Sequence, residues 1–194
     1  FFFFNDTATT GIYPLSLHAA LSDLCRGPLL GAHVSIAGGV GQALIRGAKL
    51  RCETVQIFVK SNVQWRMPPL RLEERVDFLA ERRGLGIFVF AHSSYLINLA
   101  SADARIRRRS IASLGAELQR CAELGLPCIV LHPGSHGGAG PDEGIRKIAA
   151  GLDEALDATG IGGTRVLLET TAGQGTSIGG RSEEHTSELQ SRQS

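Results

Sequence analysis

Short apolar runs alternate with longer stretches of helical period through most of this chain. Leu30–Ser35, Thr54–Val59, Ile87–Ala91, Cys128–Leu131 and Arg165–Leu168 read as strands. The third is Ile-Phe-Val-Phe-Ala, apolar at every position. Strands without polar alternation belong to parallel sheets whose faces are covered. Helices are predicted between them. The first runs from Gly38-Gly39 to about Leu50, and a charged second from Arg71 to Arg83, ended by Gly84. A long third, capped by Ser101 or Asp103, reaches Leu124 and closes at Gly125. Pro141 or Asp142 opens a fourth with Ile145, Ile148, Leu152 and Leu156 on one face. In the third, Ile106, Ile111, Leu114, Leu118 and Cys121 recur at helical intervals. The order is α/β, (βα)4β, which fits part of a TIM barrel or a doubly wound sheet. The pattern alone does not separate these two.

Both ends break the pattern. Residues 1–24 open on Phe1-Phe2-Phe3-Phe4 and turn polar, with no basic stretch of the kind that starts a secretory signal. Residues 181–194 are polar and without period. Both stretches resemble translated sequencing-adapter DNA. They are expected to be non-native, leaving residues 25–180 as the credible domain.

This changes the charge. The whole chain carries a net +1, but residues 25–180 hold 18 basic and 14 acidic residues, a net +4. That balance is compatible with a polyanion without pointing to one. A hydrophobic share of 43% excludes a disordered chain. Cys25, Cys52, Cys121 and Cys128 form no CxxC and no zinc-finger spacing. They read as reduced thiols of a cytoplasmic protein. No apolar run is long enough to span a membrane.

Chemistry gathers at strand ends, where parallel α/β folds place their active sites. His33 lies late in the first strand. His92 follows the third, His132 the fourth and Glu169 the fifth. Two or three imidazoles with a carboxylate suit zinc or another transition metal. His33 is expected to be structural or to support the ligands, and His136, in the loop His-Pro-Gly-Ser-His, to be exposed. Gly38-Gly39-Val40-Gly41 does not fit a dinucleotide-binding fingerprint. Arg105, Arg107, Arg108 and Arg109 read as a solvated helix face. Two loops on the active-site side carry aromatics among polar groups: Lys60–Arg66, with Gln64 and Trp65, and His92–Asn98, with Tyr95. Such groups can wedge into or stack on nucleic acid.

The motifs Gly31-Ala32-His33-Val34-Ser35, Gln64-Trp65-Arg66, Ser94-Tyr95-Leu96-Ile97-Asn98-Leu99, His132-Pro133-Gly134-Ser135-His136 and Glu169 with Thr171–Gly175 resemble, in order and spacing, bacterial endonuclease IV. That family is a zinc-dependent abasic-site endonuclease. The resemblance covers Leu30 to Gly180. It implies a TIM barrel holding three Zn2+ ions, which cuts double-stranded DNA on the 5′ side of abasic sites and acts in repair as a monomer. It further implies that His92, His132 and Glu169 are metal ligands, with Glu169 the catalytic, bridging carboxylate. Tyr95, Gln64 and Trp65 become DNA-contacting residues. Ser93 stands where the family usually has Asp, Val63 where an Arg is common, and Thr170 where Asn is usual. The matching region is expected to supply about five of eight βα strands, at most one Zn2+ site, unpaired edges at the first and fifth strands, and little activity of its own. The alternatives are a xylose-isomerase-like sugar isomerase or epimerase, and a truncated product without function.

Overall fold

A computed structural model describes residues 27–160, 163–173 and 175–180. The adapter-like stretches 1–24 and 181–194 lie outside them, as do Cys25 and Gln174. The elements are β1 (Gly31–His33), α1 (Val40–Lys49), β2 (Thr54–Phe58), α2 (Leu72–Leu85), β3 (Phe88–His92), α3 (Ala104–Glu123), β4 (Cys128–Leu131), α4 (Pro141–Thr159) and β5 (Arg165–Leu168). The five strands form one parallel sheet in the order β1-β2-β3-β4-β5. A doubly wound sheet reverses its strand order partway, whereas a barrel adds each strand beside the last. The sheet is therefore an arc of a TIM barrel.

Local chemistry explains the boundaries. Asp103, not Ser101, caps α3, its carboxylate accepting the backbone N–H groups of Arg105 at 2.7 Å and Ile106 at 3.3 Å. Pro141 takes the first turn of α4, where its missing N–H costs nothing. α2 runs two residues past its expected end: Gly84 stays helical, and Gly86, at φ 64°, supplies the left-handed stop. β1 is shorter than expected. After His33 the chain leaves the ladder through a turn in which the Ala37 N–H bonds Ser35 Oγ. β3 is shifted one residue onward, so His92 is its last residue and not the one beyond it.

Alternation along the strands sorts two faces. Val55, Ile57, Val89, Ala91, Ile129, Leu131 and Val166 join Leu44, Phe78, Leu114, Leu118, Ile148 and Leu152 of the helices in one buried core. α1 approaches so closely that a Cβ on Gly47 would sit 2.5 Å from Val55 Cγ1. The opposite, concave face carries His33, Gln56, Phe58, Phe88, Phe90, His92, Val130 and Leu167, in register Gln56 with Phe90, Phe58 with His92, and Val130 with Leu167. It is far wetter: Phe88 is 40% exposed.

Candidate metal centre

Three strand ends build the site. His92 closes β3, and His132 and Glu169 follow β4 and β5 directly. The backbone N–H of Glu169 bonds the Leu131 carbonyl at 2.9 Å, setting Glu169 level with His132. His92 pairs with Val130, two residues lower on the ladder. The side chains bridge that step, since His92 Nε2 and His132 Nε2 both reach the same Glu169 oxygen.

His92 Nε2 lies 3.1 Å from Glu169 Oε2, and His132 Nε2 lies 3.4 Å from the same oxygen. The three ligand atoms all fall within 4.8 Å of one another. A tetrahedral ion with bonds of about 2.0–2.2 Å holds its ligand atoms roughly 3.4 Å apart, close to the two contacts that the Glu169 carboxylate makes. The proton arrangement agrees. His92 is 5% exposed, and its Nδ1 contacts the Ser93 carbonyl at 2.7 Å. A carbonyl only accepts, so Nδ1 carries the hydrogen. In the neutral ring Nε2 then presents a lone pair to the carboxylate, and a cation between the two acceptors resolves that arrangement. The donor set of two imidazoles and one carboxylate fits a divalent transition metal.

The flanking residues sort by position. Ser93 is buried and supports His92 through its main-chain carbonyl, a contact that its side chain does not make. His33 lies off the triad: its Nδ1 contacts Gln56 Oε1 at 2.9 Å, and its ring centroid is 6.1 Å from that of His92. Tyr95 stands 59% exposed beside the ligands, edge-on to His92 at 5.4 Å and 5.9 Å from His132 between ring centroids. Gln64 and Val63 are exposed on the neighbouring loop. Trp65 is half-buried, with the guanidinium of the exposed Arg109 4.6 Å above its ring. Of the basic run, Arg105, Arg108 and Arg109 are exposed as expected and Arg107 is half-buried, donating to the Lys147 carbonyl at 3.3 Å. His136 is not exposed as expected. It turns inward, its Nδ1 accepting the N–H groups of Gly138 and Gly140, and so orders the loop before α4.

Gly134 is needed where it stands. Its φ is 113°, and a Cβ there would collide with Asn98 Oδ1. That oxygen accepts the N–H groups of Ala100 and Ser135, while Asn98 Nδ2 donates to the Ser135 carbonyl, lacing the β3 and β4 loops together behind the ligands.

The sequence reading missed a buried polar layer beneath the Gln64 and Tyr95 loops: Lys60, Ser113, Glu117 and Arg120. Its trace lay in α3, where Glu117 falls within the stripe of Leu114, Leu118 and Cys121. Cys121 and Cys128 are buried free thiols and Cys52 a half-buried one. Burial pushes the Cys121 and Cys128 thiols up, leaving them unreactive. Among the described residues no helix is long and apolar enough to cross a membrane.

The comparisons with known proteins agree with the arc. Residues 46–192 match the family model described as xylose isomerase-like TIM barrel. "Probable endonuclease 4" of Chloroflexus aurantiacus (strain ATCC 29366 / DSM 635 / J-10-fl) is 46% identical over 158 residues, covering 80% of this chain and 55% of that protein. The crystal structure of endonuclease IV from Thermus thermophilus superposes with a TM-score of 0.73 at 37% identity, over 81% of this chain and 57% of that one. D-psicose 3-epimerase from Clostridium cellulolyticum H10 reaches a TM-score of 0.59 at 16% identity, over 84% of this chain and 60% of that one, a likeness of fold alone. The chain thus spans about 55% of the length of such a curated relative.

Proposed function

Because the chain belongs to the xylose isomerase-like TIM-barrel family, we propose that it is part of an endonuclease IV, a zinc-dependent DNA-repair enzyme that cuts the phosphodiester bond 5′ to an abasic site. The observation that carries this reading is the convergence of His92, His132 and Glu169 directly beside exposed Tyr95. In a sugar-converting barrel the ligands would open onto a small polar pocket. Here an exposed aromatic ring overhangs them, which suits a duplex from which a sugar must be extruded.

In this reading His92 and His132 present neutral imidazole nitrogens, and Glu169 balances the charge of the ion. A bound Zn2+ supplies Lewis acidity and lowers the pKa of a coordinated water. The hydrogen bond from His92 Nδ1 to the Ser93 carbonyl holds the ring in the binding tautomer. Tyr95 wedges into the duplex at the lesion, and Gln64 and Trp65 contact the DNA from the neighbouring loop. Trp65, braced by Arg109, supports the loop. Free thiols at Cys52, Cys121 and Cys128 suit a reducing cytoplasm. The described ligands suffice for one ion, so the chain alone is expected to cut abasic DNA far more slowly than a full-length relative.

A chimera tests the assignment. Residues 30–180 replace the matching part of the Thermus thermophilus enzyme, and cleavage of an abasic-site duplex is followed with added zinc. Incision on the 5′ side is expected. A folded, zinc-loaded chimera that leaves the duplex intact overturns the reading.

A further inference from the structure

The Lys60–Arg66 and His92–Asn98 loops are tied to each other and to α3 by a buried ion pair. Glu117 is 0% exposed and Lys60 5%. Glu117 Oε2 accepts the backbone N–H of Ser94 at 3.0 Å, and Oε1 accepts the Ser113 hydroxyl at 3.1 Å and lies 3.5 Å from Lys60 Nζ. Lys60 Nζ in turn donates to the Gln64 carbonyl at 2.5 Å. The loops are also joined directly, Ser94 Oγ donating to the Asn62 carbonyl at 2.9 Å. One turn further along α3, Arg120 donates to the carbonyls of Val59 and Pro68, gripping the Lys60–Arg66 loop at both ends.

Burial raises the Glu117 carboxyl, and the Ser94 N–H, the Lys60 ammonium and the Ser113 hydroxyl all act against that rise. A buried ion pair is weak evidence for stability, since well-packed apolar residues often serve as well. What apolar residues cannot do is hold a backbone N–H and a backbone carbonyl on two different loops in fixed relative positions.

We propose that Lys60 and Glu117 form a positioning clamp that makes the Gln64 loop and the Tyr95 loop move as one body. Gln64 follows Lys60 through its own carbonyl, and Tyr95 follows Ser94 by adjacency. His92 lies two residues before Ser94, so the clamp also sets the wedge relative to the metal ligands. As a means of engaging DNA the clamp rests on the function proposed above; as a mechanical coupling it does not.

The test uses the full chain and two readouts. Hydrogen exchange is measured on wild type, Lys60→Met and Glu117→Gln. Lys60→Met is expected to speed exchange of the Ser94 amide about tenfold or more, although Lys60 makes no bond to it. Glu117→Gln is expected to do the same across residues 61–66. Each variant loosening only the loop it touches overturns the clamp. If a single variant fails to fold, Lys60→Arg or Glu117→Asp replaces it, judged by the same criterion of loosening in the loop it does not touch. The second readout is fluorescence anisotropy on abasic-site and intact duplexes. The variants are expected to lose about tenfold in abasic-site affinity, with zinc affinity within about twofold of wild type. Unchanged abasic-site affinity with loosened loops overturns the role in DNA engagement. A wild type that does not prefer the abasic duplex overturns the function reading, and the exchange result still decides the coupling.

Discussion

The two faces of one five-stranded sheet have been put to opposite uses. The convex face is dry: aliphatic residues of the strands meet those of four helices in the core. The concave face holds imidazoles, a carboxylate and half-exposed aromatics in a gradient, apolar toward the strand starts and ligand-bearing at their ends. Both faces come from the same strands in alternation, so a single register shift would exchange core for site. The lesson is that a parallel sheet can keep its folding energy and its chemistry on separate sides, and that substitutions on the two sides should be separable.

The largest effect expected on the concave side is loss of metal. His92→Ala or Glu169→Gln should weaken zinc binding by on the order of a hundredfold or more, with the apo-protein's melting temperature nearly unchanged. Isothermal titration together with thermal melts would show it; loss of fold in either variant would break the separation. On the convex side, Ile129→Ala removes a fully buried side chain and should cost about 2–5 kcal/mol in urea unfolding, leaving zinc affinity intact. The same truncation at Phe90, half-buried on the concave face, should cost distinctly less. Equal losses at the two positions would mean that the faces are not energetically distinct. Gly134→Ala should destabilise by about 1–3 kcal/mol, from the positive φ and the clash with Asn98, and should lower zinc affinity as well, because that loop backs the ligands. The smallest effect lies at the exposed start of α3. The two N–H groups at the start of α3 hold the Asp103 carboxyl below the usual carboxylate range. Its stabilising contribution is therefore present above its unfolded-state value and lost as pH falls through the folded one. Asp103→Ala should lower the melting temperature by roughly 1–4 °C at neutral pH, with the gap closing in acid.

Much of this was legible in the sequence, and for identifiable reasons. Apolar runs without alternation marked the strands because a parallel strand is bounded by covered surfaces, and β4 and β5 lie where the runs lie. His92, His132 and Glu169 stood out because each ends a run, and their convergence followed from parallel pairing. The strand order that separates barrel from doubly wound sheet was not legible, since it is a property of neighbours in space. Nor was the end of α2, where two glycines two residues apart compete and only the backbone angle decides. His136 was misjudged because an inward turn depends on N–H groups of the same loop that carry no side-chain signal. The Lys60–Glu117 pair escaped because its members lie 57 positions apart, and a charged residue within an apolar stripe means nothing until its partner is found.

The triad has one more consequence, in the unfolded chain. His92 and Glu169 are separated by 77 residues, with His132 between them. An ion gripping all three would cross-link most of the arc, and the entropy removed by closing so long a loop grows with its length, though only logarithmically. Zinc would then act as a topological staple as well as a Lewis acid. Its withdrawal would first be felt not at the rim but in how long β3, β4 and β5 stay together.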